Sequence, residues 1–152
     1  MRTRAAVAPG HAQRGFSLVE VLVTMLVLSI GLLGIAALII TDIKNNQSAY
    51  ARSQASMLAN DIIDSMRANR ALAEASPSPY ALALDADPAG AGVAADDLTA
   101  WRAAAASAMP SGRGAVSVDP LTRNVTVTLE WNDSRAGGAA HPTQQYVVAT
   151  HL

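Results

Sequence analysis

No cysteine occurs in the 152 residues. Disulfide frameworks, thiolate zinc sites and cysteine nucleophiles are therefore excluded, while the compartment stays open because an exported protein can do without disulfides. Aromatic residues are also scarce, with one Phe, two Trp and three Tyr, and the formal net charge is only −1. Nucleic-acid surfaces are basic and studded with stacking aromatics, so no nucleic-acid contact is expected. Catalytic signatures are missing as well. His11, His141 and His151 have no partner at the i, i+4 spacing of a zinc-protease helix, and there is no Gly-x-Ser-x-Gly elbow, phosphate-binding glycine loop or dinucleotide fingerprint. Not an enzyme, no cofactor and no metal are the expectations. Bulky core residues are few too: hydrophobic residues make up 51% of the chain, but 32 of them are alanines, each of which buries little surface. The length suits one ordinary domain with attachments.

What the chain does have is one long apolar run. Residues Phe16 to Ile40 read FSLVEVLVTMLVLSIGLLGIAALII and carry a single charge, Glu20. As a helix, this stretch reaches roughly 37 Å, enough to cross a hydrocarbon core of about 30 Å. Arg2, Arg4 and Arg14 precede it without any acidic residue, whereas Asp42 and Lys44 behind it cancel. The positive-inside rule then puts the N-terminus in the cytoplasm and the rest of the chain outside, in the periplasm. A cleaved secretory signal is a competing reading, with Gly34-Ile35-Ala36 as its small-residue site, but the run is too long for one. A carboxylate deep in a transmembrane helix costs about 2.5–3.5 kcal/mol on insertion scales and usually marks a pairing. Glu20 is also close enough to the helix N-terminus for the interface and helix dipole to accommodate it.

Arg14-Gly15-Phe16-Ser17-Leu18-Val19-Glu20, running straight into the apolar helix, resembles the class III signal of type IV pilins and pseudopilins. The resemblance implies that prepilin peptidase cuts after Gly15, leaving 1–15 as the leader, and that Phe16 is then N-methylated. Glu20 becomes the fifth residue of the mature chain, and the cut removes three arginines, taking the formal charge from −1 to −4. It also implies assembly with other major and minor pilin subunits by the inner-membrane pilus machinery. In the staggered subunits, the amine of one Phe16 meets the Glu20 carboxylate of a neighbour, each neutralising a charge otherwise stranded among apolar helices.

The helical pattern continues beyond Ile40. Thr41 to Arg70 contains neither Gly nor Pro; Ile43, Tyr50 and Met57 recur at intervals of seven, then Leu58, Ile62 and Met66 at intervals of four. This predicts one helix from about Phe16 to Arg70, with 16–40 in membrane or filament core and 41–70 offering an apolar stripe to a globular region. Gly31 and Gly34 are its weak points, read either as a bend on assembly or as close helix packing. Asn45-Asn46-Gln47-Ser48-Ala49-Tyr50 and Met66-Arg67-Ala68-Asn69-Arg70, with later strings around Trp101, Met109 to Gly114 and Trp131, resemble the minor pilins called type IV pilus modification protein PilV. Many members of that family carry cysteines that this chain lacks.

Residues 71–152 are expected to form the globular part. The Ala-, Pro- and Gly-rich stretch to about Ala95 reads as a surface loop, and Asp85-Ala86-Asp87 within it lacks the spaced ligands of a calcium loop. Asp96 or Asp97 is expected to cap a short helix from Leu98 to about Met109, packed through Trp101 and ended by Pro110 and Gly112. Ala115–Val118, Val125–Trp131 and Gln145–Thr150 read as strands, with Val125, Val127, Leu129 and Trp131 on one face. An α+β fold follows, a long N-terminal helix packed on a small antiparallel sheet. The function this implies is structural: a minor pilin that helps prime or modify a type IV pilus used in adhesion, twitching or DNA uptake. A minor pseudopilin of a type II secretion system and a membrane-tethered periplasmic binding domain are the alternatives.

Overall fold

In the computed structural model, residues 15–134 and 142–152 are described. The leader upstream of Gly15, including Arg14 and His11, and the loop positions Gly137, Gly138 and His141 lie outside them. The chain resolves into two compact units, the first ending at Ile40 and the second running from Thr41 to Leu152. Helix α1, Leu18–Ala68, belongs to both; α2 is Arg70–Ala73 and α3 Val93–Ala108. The strands are β1 (Arg113–Val118), β2 (Asn124–Asn132) and β3 (Thr143–His151), in the order β1-β2-β3, all antiparallel. Helix α1 passes through Gly31 and Gly34 without a break, and a Cβ at either would meet nothing.

The second unit folds as expected in outline. Strand β2 is central, and its alternation puts Val125, Val127, Leu129 and Trp131 in the core. Tyr146 and Val148 of β3 pack against the same cluster, while Val147 between them faces outward. This is the period-two rule of a half-buried sheet. Helix α1 supplies the opposing layer, with Ala51, Ala55, Leu58, Ala59, Ile62, Ile63 and Met66 buried.

Three expectations need correcting. Ile43, Tyr50 and Met57 do not form the packing stripe: all three are more than half exposed, and the seven-residue spacing marks an open face. The packing face begins instead with alanines at i, i+4 and i+8, Ala51, Ala55 and Ala59, and continues through Leu58, Ile62 and Met66 of the expected stripe, with Ile63 beside them. The core thus uses six alanines that composition alone would discount.

The stretch from Ala71 to Ala95 is also more than a surface loop. It opens with α2, and Tyr80 and Leu82 are buried within it. Leu82 forms an antiparallel bridge with Val116, exchanging both backbone hydrogen bonds at 2.8 Å and covering part of the free edge of β1.

Finally, neither Asp96 nor Asp97 caps α3. The helix starts earlier, with Gly92 at the N-cap in a left-handed conformation (φ 103°) and no side-chain capping bond. Asp96 sits in its first turn. Asp97 instead accepts a 2.6 Å hydrogen bond from the Tyr80 hydroxyl, which also accepts one from Asn69 Nδ2 at 3.1 Å. That network ties the buried tyrosine to α3 and to the residue between α1 and α2.

Trp101 does pack α3 as expected. It is buried, and its Nε1 donates to the Leu58 carbonyl at 2.8 Å. Its ring lies so close to Gly114 that a Cβ there would collide with it. The chain end of α3 is equally tight, since a Cβ on Gly112 would run into the Ala105 carbonyl. These contacts give both glycines a packing reason to be there.

Candidate processing and assembly site

The three residues singled out at the N-terminus lie together at the start of α1. Gly15, Phe16 and Ser17 are outside the helix, which begins at Leu18. Phe16 is 83% exposed. Phe16 and Glu20 line one shallow open depression with Val21, Thr24 and Met25, so the structure brings the residue at the expected cut and the carboxylate to one face.

Glu20 stands in the first turn of α1, where its negative charge is favoured by the helix dipole. Among the described residues its carboxylate has no hydrogen bond or ion pair. Its backbone is fully used, the N–H donating to Ser17 Oγ at 3.1 Å and the carbonyl accepting from Thr24 Oγ1 at 2.6 Å. Ser17 is the residue that motif reading passed over. Its signal was legible, because Ser-x-x-Glu ahead of an apolar run is the capping-box pattern. Here the hydroxyl half of that box is formed.

From Leu18 to Ile40 every residue is exposed. Bulky apolar side chains in this state need a non-aqueous surrounding, and α1 is long and apolar enough to cross a membrane. Ser29 Oγ donates to the Met25 carbonyl at 2.7 Å, so the hydroxyl of Ser29, like that of Thr24, is satisfied inside the helix and adds no unmet polarity.

The second unit offers no competing centre among the described residues. No group of His, Asp and Glu there is arranged to hold a metal ion. At Asp85-Ala86-Asp87 the reason is visible: the carbonyls of Ala83, Leu84 and Ala86 all accept from the Arg102 guanidinium, and Asp85 pairs with Arg113 at 2.9 Å. His151 Nδ1 lies 2.9 Å from the Leu152 carbonyl, on its own chain terminus.

The charged groups of this unit serve the fold. Glu130 is held below the usual carboxylate range by the hydrogen bond from Gln145 and by Arg113, forming a cross-strand row on the open face of the sheet. Arg70 lowers Glu74 in the same way, with Arg123 3.6 Å from the other carboxylate oxygen. Burial pushes the Tyr80 hydroxyl up to about 12, and the neighbouring Asp97 adds to the effect.

Residues 10–36 match the family described as the prokaryotic N-terminal methylation motif, a segment that includes Gly15, Phe16 and Glu20. No curated protein and no solved structure matches the chain. The motif is the prepilin-type signal and supports a pilin-type protein, type IV pilin-like or pseudopilin-like. It implies processing by prepilin peptidase and assembly with pilus components.

Proposed function

We propose that this chain is a minor pilin of a type IV pilus, a structural subunit of the kind called pilus modification protein PilV, which helps prime or modify filament assembly. Its N-terminus lies in the cytoplasm and its second unit in the periplasm until the subunit leaves the inner membrane for the filament. Prepilin peptidase cuts between Gly15 and Phe16, and Phe16 is methylated on its new amine. The observation that carries this reading is the combination of an exposed apolar helix with a carboxylate in its first turn that has no partner among the described residues. A charge left in that position is stabilised by an opposite charge brought from outside the chain, and the Phe16 amine of a neighbouring subunit has the right sign and origin.

Mass spectrometry of the membrane-extracted protein tests the processing step. Removing 15 of the 152 residues should leave 137 with one added methyl group. An intact N-terminus, or one beginning after Ala36, rejects the proposal. Deleting the gene should reduce surface pili and twitching while type II secretion continues; loss of secretion with pili intact transfers the assignment to a pseudopilin.

A further inference from the structure

We infer that Ser17 is a positioning residue for cleavage at Gly15–Phe16: its side chain pins the start of α1 at Leu18 and so keeps the scissile peptide out of the helix. The inference rests on the processing proposed above. In that step water hydrolyses the amide, leaving a carboxylate on Gly15 and an amine on Phe16. A peptide unit wound into a helix has its carbonyl engaged four residues ahead, whereas cleavage needs an unwound backbone with the carbonyl open to attack.

Two hydrogen bonds set the boundary. Ser17 Oγ accepts the Glu20 N–H at 3.1 Å, and the Ser17 carbonyl accepts the Val21 N–H at 3.3 Å. Ser17 thus has the two properties of an N-cap, a carbonyl already inside the helical ladder and a side chain satisfying a donor that would otherwise be an orphan. This matters more in an apolar surrounding, where water does not replace the missing bond and the helix gains by winding further back. Phe16 would not stop such winding, being neither a proline nor a glycine.

Gly15 plays a different part. A Cβ on it would meet nothing among the described residues. The fold therefore gives no reason for glycine at that position, and the requirement lies with whatever grips the bond during the cut. The motif divides accordingly: Gly15 is read by the peptidase, and Ser17 prepares the bond from within the chain.

The test uses the full chain in proteoliposomes with purified prepilin peptidase, comparing wild type, Ser17→Ala and Ser17→Asn, an alternative capping residue. We expect kcat/KM of Ser17→Ala to fall roughly two- to five-fold, as the population with an unwound Gly15–Phe16 bond declines, and Ser17→Asn to restore it. Amide exchange at Glu20 should stay slow in Ser17→Ala, because a helix wound further back hands the Glu20 N–H to the Phe16 carbonyl; faster exchange there would mean that the helix frays instead and would overturn the inference. Unchanged or faster cleavage of Ser17→Ala beside normally cleaved wild type overturns the inference and leaves the processing reading standing. Equal loss in both variants also overturns it, because the peptidase would then be reading the hydroxyl itself. If the wild-type chain is not cut, the processing reading fails.

Discussion

Helix α1 solves two different problems along its length. Before Ile40 it is apolar on all sides, and every residue of it is exposed. Beyond Thr41 it is polar on most of its surface and buries a narrow face made of Ala51, Ala55, Leu58, Ala59, Ile62, Ile63 and Met66. The first stretch is specified by its overall apolarity, which any non-aqueous neighbour satisfies. The second is specified by position, since the residues it buries range from alanine to methionine and share only one face of the helix. The difference teaches that bulk and burial are separate properties: of two methionines in the second stretch, Met57 is open and Met66 is buried, while the small Ala55 and Ala59 are buried too.

The most severe way to break the comparison is to remove the one charge in the first stretch. Glu20→Ala should leave the subunit in the membrane but reduce its recovery in sheared filaments by about tenfold or more, since stranding the neighbour's amine without its partner costs about 3–5 kcal/mol, more than one decade in an equilibrium. Immunoblotting of sheared pili against membranes measures this, and undiminished recovery rejects the pairing with a neighbouring amine.

A smaller effect sharpens the contrast between bulk and burial. Ala55 is fully buried, so Ala55→Leu should destabilise the second unit by about 1–3 kcal/mol through overpacking. Met57→Ala, on the open face, should change stability by less than about 0.5 kcal/mol although it removes more side chain. Thermal melts of residues 42–152 alone compare the two. A larger loss at Met57 would restore the seven-residue stripe as the packing face.

The smallest expected effect concerns the 71–95 segment. The Tyr80 hydroxyl is raised to about 12 in the fold, above its ordinary 10.0. A raised value means that the folded state favours the neutral form. Its stabilising contribution is therefore complete below pH 10 and declines as pH rises from 10 toward 12. Denaturant melts across that window should show a steeper alkaline loss for wild type than for Tyr80→Phe. Equal slopes would remove Tyr80 as the clasp of this segment.

Much of the fold was legible because its signals are local. The alternation from Val125 to Trp131 placed the central strand on its correct face, and the uninterrupted run from Phe16 to Arg70 marked a single long helix that the structure ends at Ala68, two residues short. The motif that holds Gly15, Phe16 and Glu20 was legible as a string, and the Ser17 cap could have been read from its spacing to Glu20. Burial of Tyr80 and Leu82 was not legible. Their neighbours are Pro, Ser, Ala and Asp, a composition that describes loops, while their partners Asp97 and Val116 are far away in sequence.

By itself, then, the sequence determined the apolar helix, the methylation-motif string at its start and the alternation of the strands, since each depends on residues within a turn or two of one another. Only the tertiary structure decided that Ala51, Ala55 and Ala59 rather than Ile43, Tyr50 and Met57 join Leu58, Ile62 and Met66 on the packing face of α1, where α3 begins and how the 71–95 segment is held. Those outcomes depend on contacts between residues far apart in the chain, such as the Trp101 indole on the Leu58 carbonyl, Tyr80 on Asp97 and Leu82 on Val116, which no local pattern encodes.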